Sequence, residues 1–444
     1  MAVETWIENL CAAAVFALAW LALKRFRAGT LWRSKDVEQK SGAATPEKIS
    51  LWPLSPDAAL SNYDTAALAK TKPLPYRPFR YGPNYPQHMA IRNITDASTW
   101  LQLDQEYDAT LKVRAARTAN TELQSTATMP GFHAHALETL CEIASFLAAR
   151  FPQLYTVTRA QYNPSDPHTY GDSTVGEEKG AVTGIANLIT GETFDFAAIE
   201  ASEGPDWNPM RVAGLLLQDD LALMVEDEET GHYVFRAGSI CTAGFWRLKD
   251  KLGLTLDEIH FKGSVPNYAE KYQKAMNRFF TNLREDKLVE RNNYFFQVGG
   301  SLDWSVETNG SEDVFDQYNK GPRAEAATDK TTRHPTPATD ISEVYFRCER
   351  QTLRRMPRTR AILFTVRTYL VPVTKLADEP GVPGRMASGV RSWPKGDRSV
   401  EWYKAAELFA PILLPYLDQK HDEQVRSGAI TLNEKGMTEE KYPF

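Results

Sequence analysis

Apolar residues recur at helical spacing in two stretches of the chain. One holds Leu137, Leu140, Cys141, Ala144, Leu147, Ala148 and Phe151; the other holds Tyr268, Tyr272, Ala275, Met276, Phe279 and Leu283. Each predicts an amphipathic helix. Strand-like runs come in pairs instead. Leu221 to Asp227 and His232 to Ile240 flank the turn residues Glu228 to Gly231, and a second pair spans about Glu343 to Leu353 and Ala361 to Val373. Adjacent strands joined by short turns predict an antiparallel sheet. Helices before and between the hairpins predict an α+β domain with helices packed on one face of that sheet.

The ends of the chain read differently. Leu10 to Leu23 carry no charge, and the apolar run extends back to Trp6 with Glu8 and Asn9 interrupting it. That length is near the lower limit for spanning a bilayer. Lys24, Arg25 and Arg27 follow the run, whereas a secretory signal has its positive charges in front. The expectation is one N-terminal transmembrane helix within residues 1–27, a single-pass anchor that leaves the main domain cytosolic, as on the endoplasmic reticulum. Residues 28–73 read as a polar tether, 74–420 as the folded domain and 421–444 as a tail. Residues 307–340 are too poor in apolar side chains to pack and read as a surface insertion. The sequons at Asn93 and Asn309 would be glycosylated only if the domain were luminal.

Composition narrows the function. Hydrophobic residues make up 42% and charged residues 24%, as in globular chains, and the net charge of −6 leaves no basic footprint for nucleic acid. The four cysteines stand far apart with no CxxC pair, which argues against a zinc site or a disulfide framework. Dinucleotide, P-loop, zincin and hydrolase signatures are absent. His133 and His135 in GFHAH lack a third ligand. The later hairpin has more to offer. Phe346, Cys348, Arg350, Thr352 and Arg354 share one face of its first strand, with Arg347, Glu349 and Gln351 on the other. Arg367 interrupts an apolar second strand. A buried guanidinium needs an anion, which is either Glu349 or the carboxylate or phosphate of a ligand. His260 closes the short amphipathic segment that starts at Leu256, just before the Val265-Pro266 turn. It is either a cation suited to a helix C-terminus or a metal-binding imidazole held by apolar anchors.

Four blocks in order carry a resemblance: Arg236 to His260, Ser264 to Phe280, the ERNNY run from Glu290 to Tyr294, and Arg347 to Leu370. Together with weaker segments upstream, from about Leu74 to Val373, they resemble the haem-dependent oxidative N-demethylase alpha-subunit family. The resemblance implies a PAS-like haem fold, an antiparallel sheet with flanking helices around haem b. It also implies removal of a methyl group from a small amine with O2 and electrons from a separate flavin and iron–sulfur reductase. It makes His260 the candidate iron ligand, with Cys241 and Cys348 as rivals. Arg350, Arg354, Arg367 and Arg291 become candidates for holding the cofactor, and Glu349 and Arg350 for catalysis. The other class of function compatible with these residues is a PAS-like haem sensor or carrier without turnover.

Overall fold

The computed structural model describes residues 52, 54–75, 79, 81, 89–161, 180–201, 208–312 and 335–438, all within one compact unit, Ser50–Phe444. The expected membrane span lies outside them. Among the described residues no helix is long and apolar enough to cross a membrane.

Among the described residues ten strands form two antiparallel sheets. The large sheet takes β1 (Arg92–Asn93), β2 (Thr126–Thr128), β6 (Asp219–Glu226), β7 (Tyr233–Ser239), β8 (Leu288–Val298), β9 (Val344–Arg355) and β10 (Ile362–Pro372) in the order β1-β8-β9-β10-β6-β7-β2. β3 (Tyr155–Arg159), β4 (Val182–Asn187) and β5 (Glu192–Asp195) form the small one. Both predicted hairpins are present. β6 pairs with β7, and β9 pairs with β10 with Arg367 opposite Arg350.

Period-two alternation gives the large sheet two faces, and the chain covers both rather than one. On the first face lie α1 (Tyr107–Ala119), α2 (His133–Arg150) and α3 (Pro209–Leu216), packed on Leu221, Leu223, Leu288 and Leu363. α2 also meets Tyr155, Val182 and Ile185 of the small sheet. Lying between two sheets, it has Ala136 through Leu147 buried without a break, where a helix on one surface would bury only a stripe. α3 starts where the Asn208 side chain accepts from Met210 N, with Pro209 in the first turn. Further along the same face α6 (Val382–Arg391) and α7 (Ala410–Arg426) pack on Phe296, Phe346 and Cys348.

The second face carries α4 (Leu256–Lys262), a π-helical turn at Tyr268–Tyr272, and α5 (Gln273–Asn282). Leu256, Phe280 and Leu283 pack on Ala222, Met224, Val289, Leu353 and Ile362. Thr255 and Glu258 form a reciprocal capping box that fixes the start of α4. Arg355 holds the end of α5, donating to the carbonyls of Phe280 and Leu283.

Several expected boundaries differ. Trp52 and Leu68 join the core, so packed chain begins before residue 74. An isolated large apolar residue in a polar stretch gives no periodic signal. α7 crosses residue 420, and Ile430 beyond it is buried. The roots of the expected insertion pack together, with Thr336 N donating to Glu307 O at 2.7 Å, while residues 313–334 lie outside the described set.

β1 pairs with only the first part of β8, at Val289 and Glu290. Beyond it side chains serve the strand's backbone. Thr308 Oγ1 accepts from Val298 N at 2.9 Å, Ser305 Oγ donates to Val298 O, and Lys404 Nζ donates to Tyr294 O.

Candidate functional site

The two faces divide the candidate residues. Arg350, Arg354 and Arg367 stand on the first face, each supplied with protein partners. Arg350 pairs with Glu290 at 2.9 Å and donates to the carbonyls of Trp100 and Thr99. Arg354 pairs with Glu142 and Arg367 with Asp104, each at 2.7 Å, in pairs no more than 6% exposed. Buried guanidiniums of this kind need their anion, and the fold provides it from α2 and from the chain before α1. Cys348 is on this face too, buried among Phe296 and Phe346. Cys241 is buried within reach of the Thr118 and Ser239 hydroxyls, 3.7 and 3.9 Å away.

His260, Arg291 and Glu349 share the second face. His260 is the fifth residue of α4, and its Nδ1 lies 2.7 Å from Leu256 O. A carbonyl only accepts, so Nδ1 carries the hydrogen. Nε2, with no hydrogen-bond partner among the described residues, keeps its lone pair. Burial pushes the imidazole down to about 4; the Leu256 bond opposes this, and the charges of Arg291 and Lys251 reinforce it. The ring is therefore neutral at physiological pH, the state in which imidazole binds a metal. The Tyr268 ring lies parallel to it, 4.6 Å away at 8°.

Glu349 projects from β9 on the same side of the sheet. Its Oε2 accepts from Gln351 Nε2 at 2.8 Å and from Asn293 Nδ2 at 3.2 Å, and no basic side chain pairs with it among the described residues. Gln351 Oε1 and the hydroxyl of Thr368, which stands opposite Glu349 on β10, are buried without hydrogen-bond partners among the described residues. Buried polar atoms in a folded chain are nearly always satisfied, so these two are candidates to bond a ligand. Val366 and half-buried Phe364 supply apolar area beside them. Two basic side chains act on this patch through charge. Arg291 and Lys404 both lie within electrostatic reach, and burial brings the Lys404 amine down to about 7, with Glu349 opposing and Arg291 adding to the shift.

The patch holds groups that could take a carboxylate-bearing, flat, largely apolar cofactor. Such a cofactor needs one neutral imidazole, a cation for its carboxylates and an apolar floor, and all three are on one face. Among the described residues no group of three or more His, Cys, Asp or Glu could hold a bare metal ion. An iron held by four ring nitrogens asks the protein for one ligand. Sequence reading put Gln351 on the face of Glu349 without making it a candidate, and it did not single out Thr368 or Asn293, which the structure brings to the same patch. It paired the arginines with His260, because alternation separates two faces without saying which one a distant helix covers.

A comparison with protein-family models matches residues 90–414, well over half of the chain, to the family described as haem-dependent oxidative N-demethylase, alpha subunit-like.

Proposed function

Because the chain belongs to the haem-dependent oxidative N-demethylase alpha subunit-like family, we propose that it binds one b-type haem on the second face of the large sheet and oxidatively demethylates a small amine there. The observation that carries this reading is the state of His260: a neutral imidazole whose Nδ1 is committed to Leu256 O and whose Nε2 is left for iron. Arg291 is a candidate for a propionate, by its place on β8 within electrostatic reach of the imidazole.

When bound, the haem supplies O2 activation and one-electron chemistry that no side chain can. The overall change takes an N-methyl amine, O2, two electrons and two protons to the demethylated amine, formaldehyde and water. Such amines are cationic at neutral pH, and Glu349 is the carboxylate placed to hold one. Its Oε2 is fixed by Gln351 and Asn293, which leaves Oε1 to accept from the ammonium. Thr368 Oγ1 and Gln351 Oε1 are further polar partners, and Phe364 and Val366 favour methyl groups over water. A carboxylate and unsatisfied polar groups beside the haem surface favour turnover over a sensor or carrier role. The two electrons come from a separate flavin and iron–sulfur reductase in this reading, since the chain lacks a dinucleotide fingerprint and a cysteine cluster.

A sheet with helices gathered over its central strands supports a PAS-like description of the haem domain. The apolar run at Leu10 to Leu23 and the basic cluster behind it support a single-pass anchor with this domain on the cytosolic side.

The test is an absorption spectrum of the purified chain reconstituted with haem. A Soret band that His260→Ala loses and added imidazole partly restores supports the reading; no Soret band in the native chain refutes it. Glu349→Gln should keep the haem spectrum and lose the shift produced by a saturating N-methyl amine.

A further inference from the structure

A hydrogen bond at Nδ1 fixes one edge of an imidazole but leaves the ring free to rock about that bond. In this chain the rocking is blocked. The ring of Tyr268 lies flat against His260, and Phe261 meets Tyr268 edge-on at 5.2 Å and 90°. Tyr268 is itself tied down, because its hydroxyl donates to Asp257 Oδ1 at 2.8 Å. Asp257 is held in turn from α5, where Gln273 Nε2 donates to Oδ2 at 2.8 Å and Asn277 Nδ2 reaches both oxygens at 3.0 and 3.2 Å.

The backbone that delivers Tyr268 is unusual. Ser264 and Asn267 sit in the left-handed region at φ +54° and +58°, and Tyr268 opens the π-helical turn. Non-glycine residues in that region and π-turns are both uncommon, and they concentrate at functional sites. Two such residues and a π-turn within nine positions place one phenol ring against one imidazole.

We infer that Asp257, acting through Tyr268, is a positioning residue that sets the plane of the His260 imidazole. The inference rests on the proposal that His260 binds iron. Asp257 touches neither iron nor substrate. It fixes the angle at which the imidazole π system meets the iron d orbitals, and it keeps the ring from swinging away. Groups that hold a metal ligand in place typically contribute about tenfold or more to metal retention.

The experiment uses the full chain in five forms: native, Tyr268→Phe, Asp257→Ala, Asp257→Asn and His260→Ala. Three quantities are read: the rate of haem loss to excess apomyoglobin, the g values of the ferric cyanide adduct, and the melting temperature without haem. Tyr268→Phe keeps the stacked ring but frees it from Asp257. It and Asp257→Ala are each expected to speed haem loss about tenfold and to shift or broaden the g values. Asp257→Asn, whose amide oxygen still accepts from Tyr268, is expected to stay near native. The inference is overturned if Tyr268→Phe and Asp257→Ala keep native haem loss and g values while only the melting temperature falls, since Asp257 then merely ties α4 to α5. If His260→Ala itself keeps the native spectrum, the ligand assignment fails and takes this inference with it. Native behaviour of Tyr268→Phe beside a defective His260→Ala removes the positioning role alone.

Discussion

Arg354→Met separates a structural guanidinium from one that serves the cofactor. The Arg354 guanidinium lies 3.7 Å from the ring centroid of Trp52 and 4.5 Å from that of Trp100, with Nη2 on Glu142 at 2.7 Å. The two charged side chains are 1% and 4% exposed. Methionine keeps the length of the stem and its contact with both indoles, but it takes the guanidinium away from the buried Glu142 carboxylate. Breaking a buried pair by removing one partner costs about 3–5 kcal/mol. The lost cation–π contact adds about 1 kcal/mol. Against the roughly 5–15 kcal/mol that holds most domains folded, this is a large fraction. Urea unfolding followed by tryptophan fluorescence should show a much lower midpoint at an unchanged slope. Arg354→Met/Glu142→Leu should recover most of the loss, since two apolar partners need no compensation. Haem retention by the fraction still folded should match the native chain, because Arg354 stands on the face away from His260. A native urea midpoint together with weakened haem binding would overturn this assignment of faces.

Other expectations follow from the same geometry. Burial lifts the Asp219 carboxyl to about 6, with Arg367, Arg350 and Arg114 opposing the shift. Its folded value lies above that of ordinary aspartate, so its contribution to stability is complete below about pH 4 and is lost as pH rises through about 6. Asp219→Asn should therefore gain up to about 3 kcal/mol relative to the native chain between pH 4.5 and 8; an equal offset at both pH values would contradict this. Cys241→Ala and Cys348→Ala should leave the ferrous–CO band in place, and a shift in either would make that thiol the ligand. Asn93 is exposed whereas Asn309 is 1% exposed and donates to Gly244 O, so only Asn93 can report topology in the folded protein. In cells Asn93 should carry no glycan, and a mass shift reversed by glycosidase would place the domain in the lumen.

The hairpins were readable because period-two alternation in β6, β7, β9 and β10 is local information. So was the short amphipathic helix that carries His260, with capping signals at Thr255 and Glu258. The identity of the site face was not local. It depends on Glu142 and Asp104 arriving from more than 200 residues away to pair with Arg354 and Arg367, and a strand pattern carries no trace of that. β8 was not predicted as a strand, and its ERNNY run entered only as part of the resemblance, since polar Glu290 to Asn293 interrupt its apolar pattern and two of the four serve the second face. The π-turn at Tyr268 reads in sequence as an ordinary helix start, because its spacing differs from the helical one by a single residue.

The outer side of β8 has a consequence for how molecules of this protein behave together. An exposed strand edge is a template on which another chain can add a strand, the route by which sheets join into aggregates. Here β1 covers two residues, and beyond it Thr308, Ser305 and Lys404 take up backbone groups of Val298 and Tyr294 through side chains. A side chain satisfies one backbone group without presenting a new ladder to extend. A strand arriving from another molecule at this margin meets Val298 and Tyr294 groups that are already bonded.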